Sequence, residues 1–387
     1  MTDQRAEVFG DRAKAALQRR DGRAALDLLA QIPPAEATAE TFLDKALALR
    51  MMGDFGAAVA ALDGALALEP RNFLALLSKG ALLERLGQGT AAALTYKNAL
   101  AVGSAIEDLP PALAAPVERA RQSVAGHIAA LAEHLRRSVT ALRGEYPGET
   151  LDRFDEALSI CAGETRAYVQ EPLLTTYPRL PAIPFYDRGS FPWMAELEAA
   201  TPMLRQEVTE ALDSRADAFA PYVAFAPGVP VNQWGELNHS RRWSSYFLWR
   251  DGARQEGACA ACPGTAALLA AMPMADQPGF APTAMFSVLE PRIQIPAHTG
   301  STNTRLVVHL PLILPGPARF RVGNVTRPWR LGEAWVFDDT IEHEAWNDAD
   351  APRAILIFDI WNPLLSEAER RLVSAMMTAK NEFLTME

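Results

Sequence analysis

Apolar positions over residues 1–145 are filled mostly by Ala and Leu, and almost no run there alternates as a strand would. This stretch is expected to be helical, ending with an amphipathic helix over 117–143. From 146 to 192 the texture changes, with Pro147, Pro172, Pro178, Pro181, Pro184 and Pro192 in close succession. The run from Tyr177 to Asp187 cannot be helix interior and reads as an extended connector. A helix is expected from Trp193 to Asp213. Beyond Tyr222 come β-rich runs at 244–249, 284–289, 304–314, 319–322, 334–337 and 353–360, separated by turn signals at short intervals. That rhythm suggests an all-β barrel or jelly roll. A closing helix is expected from Glu367 to about Phe383. The pattern thus divides the chain into a helical domain 1–145, a Pro-rich connector 146–192 and a β domain with a C-terminal helix, 193–387.

A repeat emerges when the chain is shifted by 34. Gly53-Asp54-Phe55-Gly56-Ala57-Ala58 falls on Gly87-Gln88-Gly89-Thr90-Ala91-Ala92, Ala65-Leu66 on Ala99-Leu100, and Ala46 on Gly80. Gly22-Arg23-Ala24-Ala25-Leu26 looks like a degenerate copy 31 residues before Gly53. With a turn Gly, small packing residues and Glu69-Pro70 closing the second helix, this period resembles the tetratricopeptide repeat. Each helix pair has an apolar face that it cannot bury alone, so neighbours stack. Two roles stay open for it: a concave surface docking a peptide or protein, or a cap that stabilises or dimerises the remainder.

Composition narrows the class. Apolar residues make up 49% and charged residues 22% of 387, as in globular chains of two or three domains. No apolar run approaches the roughly 18 residues needed to span a bilayer, so integral membrane association is not expected. The N-terminus lacks a secretory apolar core, and three cysteines cannot build a disulfide framework; a cytoplasmic location is expected. A net charge of −10 argues against nucleic-acid binding.

Of six histidines, His127 and His134 lie in the Ala-rich half and read as surface residues, and His239 carries no motif. His298, His309 and His343 fall in the β-rich half. Two histidines 45 residues apart in such a domain invite a metal reading, but His298-Thr299-Gly300 lacks the carboxylate of the usual facial triad. Arg353, ten residues after His343, opens a β-run. An even spacing can put both on one sheet face, and a buried Arg could fork onto the carboxylate of an acidic co-substrate. On residue chemistry alone, ordinary loop histidines remain the alternative.

Longer motifs carry more. His298-Thr-Gly-Ser-Thr-Asn-Thr-Arg-Leu-Val-Val-His309-Leu and Trp335-Val-Phe-Asp-Asp-Thr-Ile-Glu-His343-Glu-Ala-Trp-Asn-Asp, continuing to Asp359-Ile-Trp-Asn-Pro, resemble the aspartyl/asparaginyl β-hydroxylases. Pro184 to Trp193 and Trp243 to Gly252 are similar to that family too, so the resemblance spans about 180–365. It implies a double-stranded β-helix that uses Fe(II), 2-oxoglutarate and O₂ to hydroxylate an unactivated carbon, releasing succinate and CO₂. On matching positions His298 and His343 would hold iron, without a carboxylate ligand. Arg353 and Ser287 would bind the distal carboxylate of 2-oxoglutarate, and His309 its other end.

Two departures concern the acceptor. Where peptidyl Asp/Asn hydroxylases carry a second Arg and a Lys, this chain has Val307 and Met285, although Arg305 remains. Arg305 and Trp243 are substrate candidates; Trp346 is another wall candidate. The acceptor is expected to be an Asp/Asn-type peptide or amino acid, with a lipid acyl chain as the alternative. Rival readings are a non-catalytic adaptor and a zinc-binding jelly roll. Cys259-Ala-Ala-Cys262 has no second pair and reads as a surface-loop disulfide or free thiols, and Cys161 as helix packing. Asp338-Asp339 is either a turn or hydrogen-bonding support for His343. Glu342 and Glu344 should point away from His343.

Overall fold

In the computed structural model, which describes residues 3–106 and 109–385, the 34-residue shift becomes two successive helix pairs. They are preceded by α1 (Asp3–Gln18) and α2 (Gly22–Leu29), and consist of α3 (Ala39–Met51) with α4 (Phe55–Leu68) and α5 (Phe73–Arg85) with α6 (Gly89–Gly103). Small residues set their closeness. A Cβ on Gly80 would stand 2.5 Å from the Tyr96 ring, and one on Gly64 2.5 Å from the Phe42 ring. Gly53 and Gly87 take the left-handed turn conformation, with φ of 81° and 73°. In the first pair Arg20 does so, at φ 60°. Asp21 and Asp54 both cap the following helix, accepting from Ala24 N at 3.0 Å and Ala57 N at 2.9 Å. Arg20-Asp21 therefore corresponds to Gly53-Asp54, and the degenerate copy is offset by 33 rather than the expected 31.

The compact units are Met1–Thr165 and Arg166–Glu387, so the division falls later than the expected 145. The reason is α8 (Asp152–Ala162), which returns onto α7 (Ala114–Arg143) through Arg143 and Asp155, 2.7 Å apart, and through Arg136 and Glu164. Residues 166–192 are not a free connector either. Gln170 bridges Ile341, Thr175 bridges Thr302 and Phe185 bridges Phe337, so this proline-rich run is built into the second unit.

That unit contains eleven strands among the described residues: β1 (Ala220–Pro221), β2 (Trp243–Arg250), β3 (Ala253–Arg254), β4 (Ala284–Leu289), β5 (Gln294–His298), β6 (Arg305–Ile313), β7 (Ala318–Val322), β8 (Val325–Pro328), β9 (Trp335–Phe337), β10 (His343–Asn347) and β11 (Arg353–Trp361). A seven-stranded antiparallel sheet has the order β1-β2-β4-β11-β6-β9, with β3 on β2, and a four-stranded sheet the order β5-β10-β7-β8. Among the described residues the sheets are open, and no ladder closes them into the barrel that a jelly roll implies.

Alternation along the large sheet serves two cores. Tyr246, Phe286, Val308, Leu356 and Phe358 pack among the buried side chains of α9 (Met194–Ala199), α10 (Thr201–Ser214), α11 (Glu256–Ala261) and α12 (Pro263–Ala271). Trp243, Leu289, Trp335, Phe337 and Ile355 on the other face meet Ile295, Phe320, Val322 and Ala345 of the small sheet. The single helix expected over 193–213 is broken at Ala200. Pro202 cannot donate to, and clashes with, the carbonyl four residues before it. The closing helix, α13 (Glu367–Thr385), buries Val373 and Met377 beside Trp361 and Leu365.

Candidate functional site

The small sheet brings His298 and His343 together. They are direct partners in the β5–β10 ladder, and their ring centroids lie 4.1 Å apart. His298 Nδ1 is 2.7 Å from the Pro296 carbonyl and His343 Nδ1 3.0 Å from that of Ile341. Those contacts place the proton on Nδ1 and leave both Nε2 lone pairs available. Burial lowers the pKa of His298 and drives that of His343 well below the usual imidazole value, which favours the neutral form that metal ligation requires. Among the described residues no group of three or more His, Cys, Asp or Glu side chains could hold a metal. His298 and His343 bring two imidazole nitrogens together.

Gly300 explains why no carboxylate follows His298. A Cβ there would stand 1.9 Å from Oδ2 of Asp339, whose side chain occupies the space, while Gly300 N donates to the Asp339 carbonyl at 2.7 Å. Burial pushes the Asp339 carboxyl up to about 8. Asp338 takes the turn role instead, accepting from Thr340 N at 3.0 Å and from Gln170.

Across the inter-sheet core stands Arg353, 1% exposed at the start of β11. Its Nε and Nη1 have no hydrogen-bond partner, and burial lowers its pKa to about 9. His309 on β6 is also buried with Nδ1 unpartnered, and burial followed by the charge of Arg353 holds its pKa well below the usual value. Phe320 and Phe337 link the two sides: each packs against both His309 and His343. Ser287 is buried on β4, where its Oγ accepts from Trp243 Nε1 at 3.0 Å. A buried cation without a counter-charge, beside unpartnered polar atoms, is a receptor for an anion.

His343 and Arg353 do not share a sheet face as the even spacing allowed. The chain crosses from the small to the large sheet between Asn347 and Arg353, so the two residues lie on different sheets. Arg305 donates from Nη1 to Asp359 at 2.8 Å and to the Phe280 carbonyl at 3.2 Å, and its buried Nε is unpartnered. Trp243 lies at the site, 6.4 Å from the His298 ring. Trp346 does not; on the outer face of β10 its ring carries the Arg319 guanidinium at 4.1 Å. Glu342 and Glu344 do point outward, both pairing with Arg321. Cys259 and Cys262 are free and buried in the helix-covered core rather than in a surface loop, and Cys161 is exposed. Sequence reasoning missed Trp234, which meets His298 edge-on at 5.0 Å from a single 3-10 turn (Asn232–Trp234) too short for any periodicity to mark.

The buried His298–His343 pair thus faces an unpaired guanidinium across the core between two antiparallel sheets. The family model for aspartyl/asparaginyl beta-hydroxylase matches residues 198–363. The ornithine lipid ester-linked acyl 2-hydroxylase of Rhizobium tropici is 37% identical over 51% of this chain and 67% of its own length. The human aspartyl/asparaginyl beta-hydroxylase is 36% identical over 39% of this chain and 20% of its own. The aspartate beta-hydroxylase domain-containing protein 2 of Xenopus tropicalis is 30% identical over 54% and 56%. The chain belongs to the aspartyl/asparaginyl beta-hydroxylase family. It spans between a fifth and two thirds of the length of these curated relatives.

Proposed function

We propose that the second unit is an Fe(II)- and 2-oxoglutarate-dependent dioxygenase that hydroxylates an unactivated carbon. The observation that carries this reading is the unpartnered, buried guanidinium of Arg353 opposite the His298–His343 pair. His298 and His343 would hold iron through Nε2. Arg353 and Ser287 would bind the distal carboxylate of 2-oxoglutarate, and His309 would contact its keto-acid end. Iron with 2-oxoglutarate and O₂ supplies the oxidising chemistry. The chain's own contribution is to keep both imidazoles neutral, to fix the co-substrate by its remote charge, and to exclude water with the Phe320, Phe337 and Trp243 walls.

For the acceptor, an acyl chain is favoured over an acidic side chain. Met285, Ile357 and His309 lie in one cross-strand row, and Val307 is on the same face of β6. Arg305 on that face is already paired with Asp359 at 2.8 Å, so an Asp side chain would have to compete for it. The acyl 2-hydroxylase named above fits this preference. For the helical unit the reading is a docking surface for a peptide or protein.

The test is an anaerobic titration with Fe(II) and 2-oxoglutarate, followed by aerobic incubation with a 2-unsubstituted acyl lipid or an Asp-containing peptide. A visible charge-transfer band, lost in His343→Ala, and gain of one oxygen by the lipid are expected. No band in folded protein would overturn the dioxygenase reading in favour of an adaptor. Oxidation of the peptide alone would overturn the acyl assignment.

A further inference from the structure

Trp329 follows β8 and is 5% exposed, yet its indole Nε1 has no hydrogen-bond partner. An indole N–H is a donor only, and a buried donor left unpaired costs about 1–3 kcal/mol. Native chains seldom leave one without reason. The surroundings supply the reason. The Arg353 guanidinium carbon is 5.2 Å from the Trp329 ring centroid, and the His309 ring stacks on Trp329 at 5.4 Å with planes 21° apart. Arg353 Nε and Nη1 and His309 Nδ1 are unpartnered in the same cluster. Three neighbouring side chains thus present polar atoms that nothing in the chain satisfies.

We infer that Trp329 is a co-substrate-binding residue: its ring braces Arg353 and His309, and its indole N–H donates to the anion that Arg353 receives. The inference rests on the co-substrate reading above. It gives Trp329 a polar role that a purely apolar wall would not need. It also predicts an asymmetry between ring and N–H, because Trp329→Phe keeps an aromatic face and loses only the donor and some area.

The test uses the full chain with excess zinc(II) in place of iron, so that spectra stay diamagnetic. Indole ¹H–¹⁵N resonances are recorded as 2-oxoglutarate is added. The Trp329 signal is assigned by its loss in Trp329→Phe or, should that variant not fold, by through-space contacts to the His309 ring. A downfield shift of its indole proton is expected, together with a calorimetric Kd about tenfold weaker in Trp329→Phe. Trp249→Phe, on the helix-covered face, should leave the Kd unchanged. An unmoved Trp329 resonance in protein that binds 2-oxoglutarate overturns the inference and leaves the dioxygenase reading standing. Failure of the wild-type chain to bind 2-oxoglutarate at all overturns both.

Discussion

Replacing Arg353 by Met should separate stability from ligand binding, because the two pull on this residue in opposite directions. The side chain is 1% exposed, lacks a counter-charge and has its pKa lowered from 12.5 to about 9 by burial alone. At 1.36 kcal/mol per unit, that shift corresponds to roughly 5 kcal/mol of burial penalty, an upper bound because Arg stays charged. At neutral pH the penalty is fully present. An apolar chain of similar length removes it and loses little packing. Substitutions of buried charges of this kind commonly gain about 1–4 kcal/mol. For a unit of this size each kcal/mol moves Tm by about 2–4 °C, so the ligand-free variant should melt several degrees higher than wild type. With 2-oxoglutarate at a hundredfold excess over Kd, wild type should gain about 2.7 kcal/mol and the variant almost nothing. Differential scanning calorimetry with and without 2-oxoglutarate checks both halves. A variant that melts lower than wild type while keeping its response to 2-oxoglutarate would refute the claim that Arg353 is held unpaired for an anion.

Three further outcomes follow from close contacts and burial. Gly300→Ala should cost about 1–3 kcal/mol in urea denaturation, because its Cβ would stand 1.9 Å from Asp339 Oδ2. Adding Asp339→Gly should recover most of that loss, and strictly additive effects would contradict the contact. Gly80→Ala, which would bring a Cβ within 2.5 Å of the Tyr96 ring, should speed amide exchange in α5 and α6, and unchanged protection there would count against close helix approach. Iodoacetamide at pH 8 should label exposed Cys161 first. Burial pushes the Cys262 thiol up to about 11, so raising the pH from 8 to 10 should not expose a thiolate there until the unit unfolds; early Cys262 labelling in peptide mapping would refute that.

Legibility in the sequence tracked how strongly each element declares itself by apolar alternation. The strands of the large sheet bury both faces and read as continuous apolar runs: the run 284–289 coincides with β4, and the run 353–360 falls one residue short of β11, which ends at Trp361. The strands bearing His298 and His343 do not read as strands from the sequence. Gln294–His298 contains Pro296, and His343–Asn347 alternates only weakly, since Glu344 and Trp346 face ion pairs and Arg319 on the outer surface. Their positions came from motif resemblance, and their pairing only from the ladder. In the helical unit the repeat of 34 was legible because Gly53 and Gly87 mark its turns. The first copy was set in the wrong register because Arg20, not a glycine, holds the left-handed turn.

The property that matters most for the site is one that sequence cannot express, namely the absence of a partner. Arg353 lies within five residues of Asp348 and Asp350, and a reader of the chain would pair it with either. In the fold, Asp348 accepts from Arg319 at 3.0 Å and Asp350 from Arg292 at 2.6 Å. Arg305, the other cation on the site-facing side of the sheet, is taken by Asp359. Each nearby carboxylate is thus matched to a cation other than Arg353. The crossing from β10 to β11 then carries this guanidinium inward, between two sheets whose facing side chains are mostly apolar. Local charge pairing therefore isolates Arg353, and burial makes that isolation costly in the ligand-free chain. Both conditions are met by an incoming dianion, which is why the same residue should weaken the empty fold and anchor the occupied one.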